Sequence, residues 1–177
     1  MILVVSYESD AHAARILKKS EDLGVKAILW DISKFPNESE ISFSIFPFTP
    51  ESMSLISIGE YNLHREDIRG IFWRRPHGVF QKKKPAGLDG YMRLESEVVV
   101  RSLFDFLPDV NWISTPESTR LSCRKPVQLE IARSIGFRIP MTCVSNSPNE
   151  VSVFIEQLGN RLLTMKPVGT AFIGIAP

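Results

Sequence analysis

Residues 1–30 read MILVVSYESDAHAARILKKSEDLGVKAILW. The apolar run at residues 2–5 is followed by Ser9 and Asp10, either of which can cap a helix. Ala13, Ile16, Leu17 and Leu23 then recur at helical spacing, and Gly24 is a natural stop. Val25, Ala27, Ile28, Leu29 and Trp30 make a second apolar run. Strand, helix, strand in this order is a βαβ unit, and a helical crossover joins strands that run parallel. The opening therefore predicts an α/β fold with a Rossmann-like, mainly parallel sheet flanked by helices.

Further elements follow outward from that unit. Ile41, Phe43 and Ile45 alternate with Ser42 and Ser44, a half-buried strand whose end is marked by Pro47. Residues 53–58, MSLISI, can pair with it, and residues 59–66 read as a polar turn. Residues 68–73 form the next strand. Residues 90–107 read as a helix with Leu94, Val98, Val99, Leu103, Phe106 and Leu107 inward and Pro108 as its stop. Trp112 and Ile113 are a short strand. Thr115 caps a helix that Pro126 splits in two, because proline removes a donor and clashes inside a helix. The second piece turns Val127, Ile131, Ala132 and Ile135 inward and stops at Gly136. Pro140 opens an extended stretch. Asn146 or Ser147 caps another helix, with Val151, Phe154, Ile155 and Leu158 inward, and residues 161–166 read as a final strand.

Composition excludes several classes. The net charge of +1 gives no general attraction for nucleic acid or an anionic membrane. The run Lys82-Lys83-Lys84 is a short solvated loop. No apolar run reaches the roughly 20 residues of a membrane-spanning helix, and the start MILVVSY lacks a basic leader and a long apolar core. Cys123 and Cys143 suggest neither a disulfide framework nor a zinc site, and a reduced, cytoplasmic setting is expected. His12, His64 and His77 read as surface or packing residues, and Trp30, Trp73 and Trp112 as core. No G-x-G-x-x-G follows the first strand, where Ser6 and Tyr7 stand, which argues against a generic dinucleotide-binding domain.

Four residues are candidates to carry chemistry. Arg74 and Arg75 stand side by side after Gly70-Ile71-Phe72-Trp73, at the strand ends where α/β sheets open their clefts. Guanidinium forks suit a carboxylate or phosphate; the alternative is a structural pair, one bridging to Glu95 or Glu97 and the other solvated. Lys125 stands at a helix start, where free amides and the dipole attract anions; the alternative is a solvated lysine. Lys166 ends an apolar run before a glycine-bearing loop, a reasonable phosphate contact.

Lys125, an amphipathic helix, Gly136-Phe137-Arg138-Ile139-Pro140-Met141-Thr142, a further helix and a run ending in Lys166-Pro167 resemble the opening of the ATP-grasp superfamily. Its members join a carboxylate to an amine or hydroxyl through an acyl phosphate. The βαβ opening, Trp30-Asp31 with Phe35-Pro36, Trp73-Arg74-Arg75-Pro76, Glu97 and Trp112-Ile113-Ser114-Thr115-Pro116 look like the pre-ATP-grasp domain of microviridin-type ribosomal peptide maturases, the graspetide ligases. The resemblance implies residues 1–114 as a pre-ATP-grasp domain and residues 115–177 as the start of an ATP-grasp α+β lobe. It implies that Lys125 and Lys166 contact ATP phosphates and that the partner is a ribosomal precursor peptide; at the strand end, at least one of Arg74 and Arg75 is expected to contact an acidic substrate side chain, a phosphate or a structural acid such as Glu97. A homodimer is left open.

ATP and Mg2+ are expected in the complete enzyme. No catalytic residue or metal ligand is assigned here, because the family's magnesium-binding residues come from a later lobe. The stretch after Lys166 reads as unfinished, so the chain alone is expected to be inactive and to hold neither tightly. The competing reading is a free-standing, non-catalytic module that binds a peptide or partner protein.

Overall fold

The computed structural model describes residues 1–47, 53–78, 87–107, 109–159, 161–166 and 168. The run Lys82-Lys83-Lys84, Pro108, Pro167 and the glycine-bearing tail at residues 169–174 lie outside them. The chain divides into two compact units, Met1–Thr115 and Pro116–Pro177. In chain order the first holds β1 (Ile2–Val5), α1 (Ala11–Asp22), β2 (Ala27–Trp30), β3 (Ser39–Ser44), β4 (Met53–Ile58), β5 (Tyr61–His64), β6 (Gly70–Trp73), α2 (Leu88–Asp105) and β7 (Asn111–Ile113). The second holds α3 (Pro116–Ser122), α4 (Lys125–Ser134) and α5 (Pro148–Leu158).

β1 is a central strand, as its uninterrupted apolar run requires. The sheet order is β2-β1-β6-β7, and all its pairings are parallel. Ile2 stands opposite both Ala27 and Gly70, and Val5 opposite both Trp30 and Trp73. Leu3 and Val5 enter the main core; Val4, on the opposite face, is sealed equally, as is Ala13 of α1. The expected α/β architecture is present.

α1 begins at Asp10, whose carboxylate accepts the His12 amide at 2.9 Å, and ends at Gly24, where a φ of +66° suits a residue without Cβ. α2 covers the Leu3–Val5 face. Its buried residues are Ser96, Val100, Leu103 and Phe104, while Leu94 and Val98 are exposed. The expected inward stripe is thus rotated on the helix. Phe104 sets that rotation: its ring lies 5.9 Å from Trp30, 5.2 Å from Trp73 and 5.5 Å from Trp112, the last two edge-on. All three tryptophans of the chain meet on this one ring.

A second, antiparallel sheet of order β3-β4-β5 lies between β2 and β6 in the chain. It adds Ile56 and Leu63 to the same core, and the Trp30 indole donates to Ser39 Oγ at 3.0 Å. Residues 61–64 are therefore a strand and not a turn. Gly59-Glu60 is a two-residue loop between paired Ile58 and Tyr61, with a positive φ of +56° at Gly59 alone, the pattern of a type II′ hairpin turn.

In the second unit Pro126 divides the helices as expected. It sits in the first turn of α4, where its missing amide is tolerated. Gln128 reaches back to donate to the Ser122 carbonyl. Ser147 caps α5 and Gly159, at φ +60°, ends it. The expected inward faces are not covered: Val127, Ile131, Ile135, Val151 and Ile155 are all exposed, and none of the three helices has a buried residue. Residues 161–166 form no strand, for this unit offers no described strand to pair with. Among the described residues no helix is long and apolar enough to cross a membrane.

The Phe104 ring is predicted to be the most sensitive point of the first unit. Phe104→Ala should cost about 3–5 kcal/mol, read as a lower urea midpoint, and Phe104→Leu less. A loss under about 1 kcal/mol for the alanine variant would show that the tryptophans pack as well without it.

Candidate functional site

β1, β2 and β6 end level, so the residues that follow them gather at one edge of the parallel sheet. β1 leaves through α1 toward β2 on one side; β6 leaves through α2 toward β7 on the other. The chain therefore departs in opposite directions from neighbouring strands β1 and β6, the place where open α/β sheets form a crevice. Ser6, Tyr7 and Asp10 stand on one side of it, and Arg74, Arg75 and His77 on the other.

The centre of the cluster is Asp10, only 3% exposed. It accepts the Ser6 hydroxyl at 2.7 Å and the His12 amide at 2.9 Å, and Arg74 Nε stands 3.7 Å from its second oxygen. Burial alone would push this carboxyl up; the Ser6 hydroxyl, the His12 amide and the Arg74 guanidinium outweigh that and hold it below its ordinary 3.8. Arg74 is also fixed through its backbone, which donates to the Val5 carbonyl at 3.0 Å. The His77 ring stacks on Tyr7 at 4.6 Å and 6°, closing the segment after β6 against the end of β1.

The two arginines are thus not equivalent. Side chains alternate along an extended chain. Arg74 turns toward Asp10, and Arg75 is exposed with no hydrogen-bond or ion-pair partner among the described residues. The structural acid is Asp10; Glu97 instead holds Arg93 at 2.8 Å. Asp10 was legible only as a helix cap, because nothing local links it to a residue 64 positions later. The neighbouring strand end is tied in as well. Asp31 accepts the Glu8 amide at 3.2 Å, and Lys34 bridges Glu8 at 2.5 Å and Glu38 at 2.8 Å.

The lysines lie in the second unit. Lys125 is the first residue of α4, exposed, with its ammonium donating to Gln128 Oε1 at 3.1 Å. Arg124 occupies the cap position and makes no side-chain cap, so the first amides of α4 lack one. Lys166 is exposed at the end of residues 161–166, which are in neither helix nor strand. Among the described residues no group of three or more His, Cys, Asp or Glu is placed to hold a metal ion.

The depressed Asp10 carboxyl makes a pH-dependent prediction. Its folded-state pKa lies below the unfolded value, so its contribution is complete above about pH 3.9 and is lost as the pH falls through the lower folded value. Asparagine caps as well as aspartate, so Asp10→Asn removes the charge and keeps the cap. The variant should be less stable than the parent at pH 7, with the gap narrowing below about pH 4. Urea midpoints at pH 7 and pH 3 check this; a gap of equal size at both would show that the charge contributes nothing.

No protein-family model matches the chain, and no curated protein matches it. Solved structures do. The macrocyclase MdnB from Microcystis aeruginosa MRC superposes with a TM-score of 0.81 at 22% identity, over 90% of this chain and 52% of that one. MdnC of the same organism, bound with its precursor peptide MdnA, gives 0.77 at 21% identity, again over 90% and 52%. A RiPP-associated ATP-grasp ligase from Chryseobacterium gregarium, in complex with ADP and a leader and core peptide, gives 0.70 at 26% identity, over 88% and 47%. The chain spans about half the length of these solved proteins. Over nine-tenths of its length it shares the fold of macrocyclases and ATP-grasp ligases, the resemblance that its arginine and lysine motifs imply.

Proposed function

We propose that the chain is the N-terminal portion of an ATP-dependent ligase that joins a carboxylate to a hydroxyl or amine within a ribosomal precursor peptide. The observation that carries this reading is the fold shared, over nearly the whole chain, with a peptide-bound macrocyclase and with an ATP-grasp ligase bound to ADP and peptide. The reaction has two steps. A side-chain carboxylate of the peptide attacks the γ-phosphorus of ATP; the bond to the bridging oxygen breaks, ADP leaves and an acyl phosphate remains. A Ser or Thr hydroxyl, or a Lys amine, of the same peptide then attacks the acyl carbon. Inorganic phosphate departs with the electrons of the broken C–O bond, the nucleophile loses its proton, and an ester or amide is left.

Each residue has a part in that chemistry. Lys125 supplies a full positive charge beside the uncapped amides of α4, a combination suited to ATP phosphates. Lys166 supplies a second cation to the same phosphates. Arg75, exposed at the strand-end crevice, suits the acidic side chain of the peptide, because a guanidinium fork pairs bidentately with a carboxylate. Arg74, held by Asp10, fixes the backbone from which Arg75 projects. Magnesium bound with ATP offsets the phosphate charge and orients the γ-phosphoryl group; no described residue of this chain is assigned to it. The need for ATP and a ribosomal peptide fits a cytoplasmic enzyme. Because the shared fold covers about half of each ligase, the 177 residues alone are taken to be inactive.

The purified 177-residue protein should release no ADP from ATP above background, with or without an acidic peptide. In a full-length ligase containing this stretch, Lys125→Ala and Lys166→Ala should each lower turnover on the order of a hundred-fold. Arg75→Ala should raise KM for the peptide, whereas Arg74→Ala should also lower stability. ADP release by the 177-residue protein would overturn the inactivity, and full turnover in both lysine variants would overturn the phosphate assignment.

A further inference from the structure

Among the described residues β2 is an edge strand, paired only with β1. The Ile2 amide bonds the Lys26 carbonyl at 2.9 Å and the Ser6 amide bonds the Trp30 carbonyl at 3.3 Å. Backbone groups alternate in direction along a strand, so Ile28 and Trp30 turn theirs toward β1. Ala27 and Leu29 therefore carry their amides and carbonyls to the open side, where no described backbone group meets them. An unpaired edge of this kind is a template for another strand, and proteins usually blunt or cover it.

Here the edge forms the floor of an open groove of about 1230 Å³. One wall is α1, through Leu17, Lys18 and Glu21; the other is the β4–β5 hairpin, through Ile58 to Tyr61. That volume exceeds the roughly 300–1,000 Å³ typical of small-molecule pockets, and its lining includes every residue of β2 from Ala27 to Trp30. Charge also decides between occupants: a second copy would bring the same lining of five carboxylates against three lysines, and like charge across the seam disfavours it.

Charge narrows the partner further. Glu8, Glu21, Asp31, Glu38 and Glu60 line the groove against Lys18, Lys26 and Lys34. Two of those lysines are already engaged: Lys26 lies 4.7 Å over the Tyr61 ring, and Lys34 bridges Glu8 and Glu38. Glu21 and Glu60 have no ion-pair partner among the described residues. The rim is net acidic and the floor, with Ala27, Ile28 and Leu29, is apolar.

We propose that the free edge of β2 is a strand-addition site for an extended peptide segment with alternating apolar and basic residues. Backbone pairing to Ala27 and Leu29 supplies affinity that does not depend on sequence, and alternate side chains reach the two walls. At its Glu8, Asp31 and Lys34 end the groove adjoins the strand-end network, but the proposal does not rest on the ligase reading.

The test uses the isotopically labelled 177-residue protein and a short, end-blocked peptide of alternating lysine and valine. Bound peptide should slow exchange of the Ala27 and Leu29 amides about ten-fold or more, as a formed hydrogen bond does. Two further peptides, N-methylated at alternate residues in the two phases, should differ: one binds and the other does not. Of the β2 backbone donors, Leu29→Pro removes only the outward one, at an edge-strand position where proline is tolerated, and Leu29→Ala controls for the lost side chain. The proline variant should keep the fold and weaken binding about ten-fold. Equal binding by both methylated peptides, or unchanged exchange at Ala27 and Leu29, overturns strand addition. Protection of those amides by self-association, seen as a sedimenting dimer without peptide, overturns the choice of occupant.

Discussion

The pairing of β1 on both of its sides is the constraint from which the rest of the first unit follows. Ile2 to Val5 have the same register against β2 and β6, so three strands stop at one level. The ladder continues one residue past each end, through the Ser6 amide to Trp30 and the Arg74 amide to Val5. That staples residues distant in sequence into one edge. It also brings the acid of a helix cap to the arginine of another strand. A one-residue slip of β6 would turn its whole side-chain pattern to the other face, and Arg74 would lose Asp10.

Phe104 holds the same register from the side of the core. Its ring meets Trp30 at the end of β2, Trp73 at the end of β6 and Trp112 in β7. Each edge-on aromatic pair adds about 0.5–1.5 kcal/mol beyond the area it buries. The strand ends and α2 are thereby coupled: whatever moves the crevice residues after Trp73 also disturbs the packing on Phe104. The tryptophans serve the site indirectly, by making the sheet edge rigid.

Local signals in the chain were readable because local physics decides them. The βαβ opening, the caps at Asp10 and Ser147, the stops at Gly24 and Gly159 and the break at Pro126 all depend on near neighbours. The strand at residues 61–64 was hidden by its polar residues, although Gly59-Glu60 between alternating Ile56, Ile58, Tyr61 and Leu63 is a hairpin signal. The inward face of α2 was displaced because several apolar stripes fit its sequence, and only the tryptophans of three strands choose among them. The partner of Arg74 was hidden for the same reason. Strand-end arginines announce a site, but only the sheet order shows that Asp10 is the acid beside them.

The two units differ in what holds them, and that bears on the lysines. The first has a continuous buried core from Leu3 to Leu107. The helices of the second bury no residue and are stabilised by caps and by local pairs such as Glu117 with Arg120 and Glu130 with Arg133. Exposed pairs of that kind contribute about 0–1 kcal/mol each. An anion held by the α4 amides and Lys125 would therefore do more than dock on a finished surface. It would supply an interaction that the helix start lacks, since Arg124 does not cap it, and would stabilise α4 by mass action. Arg75 differs in kind, because its backbone is fixed by the strand ladder and by Arg74 before any ligand arrives. Under the proposed roles, an acidic side chain would meet a site set in advance at Arg75, while phosphates would order theirs on binding at Lys125.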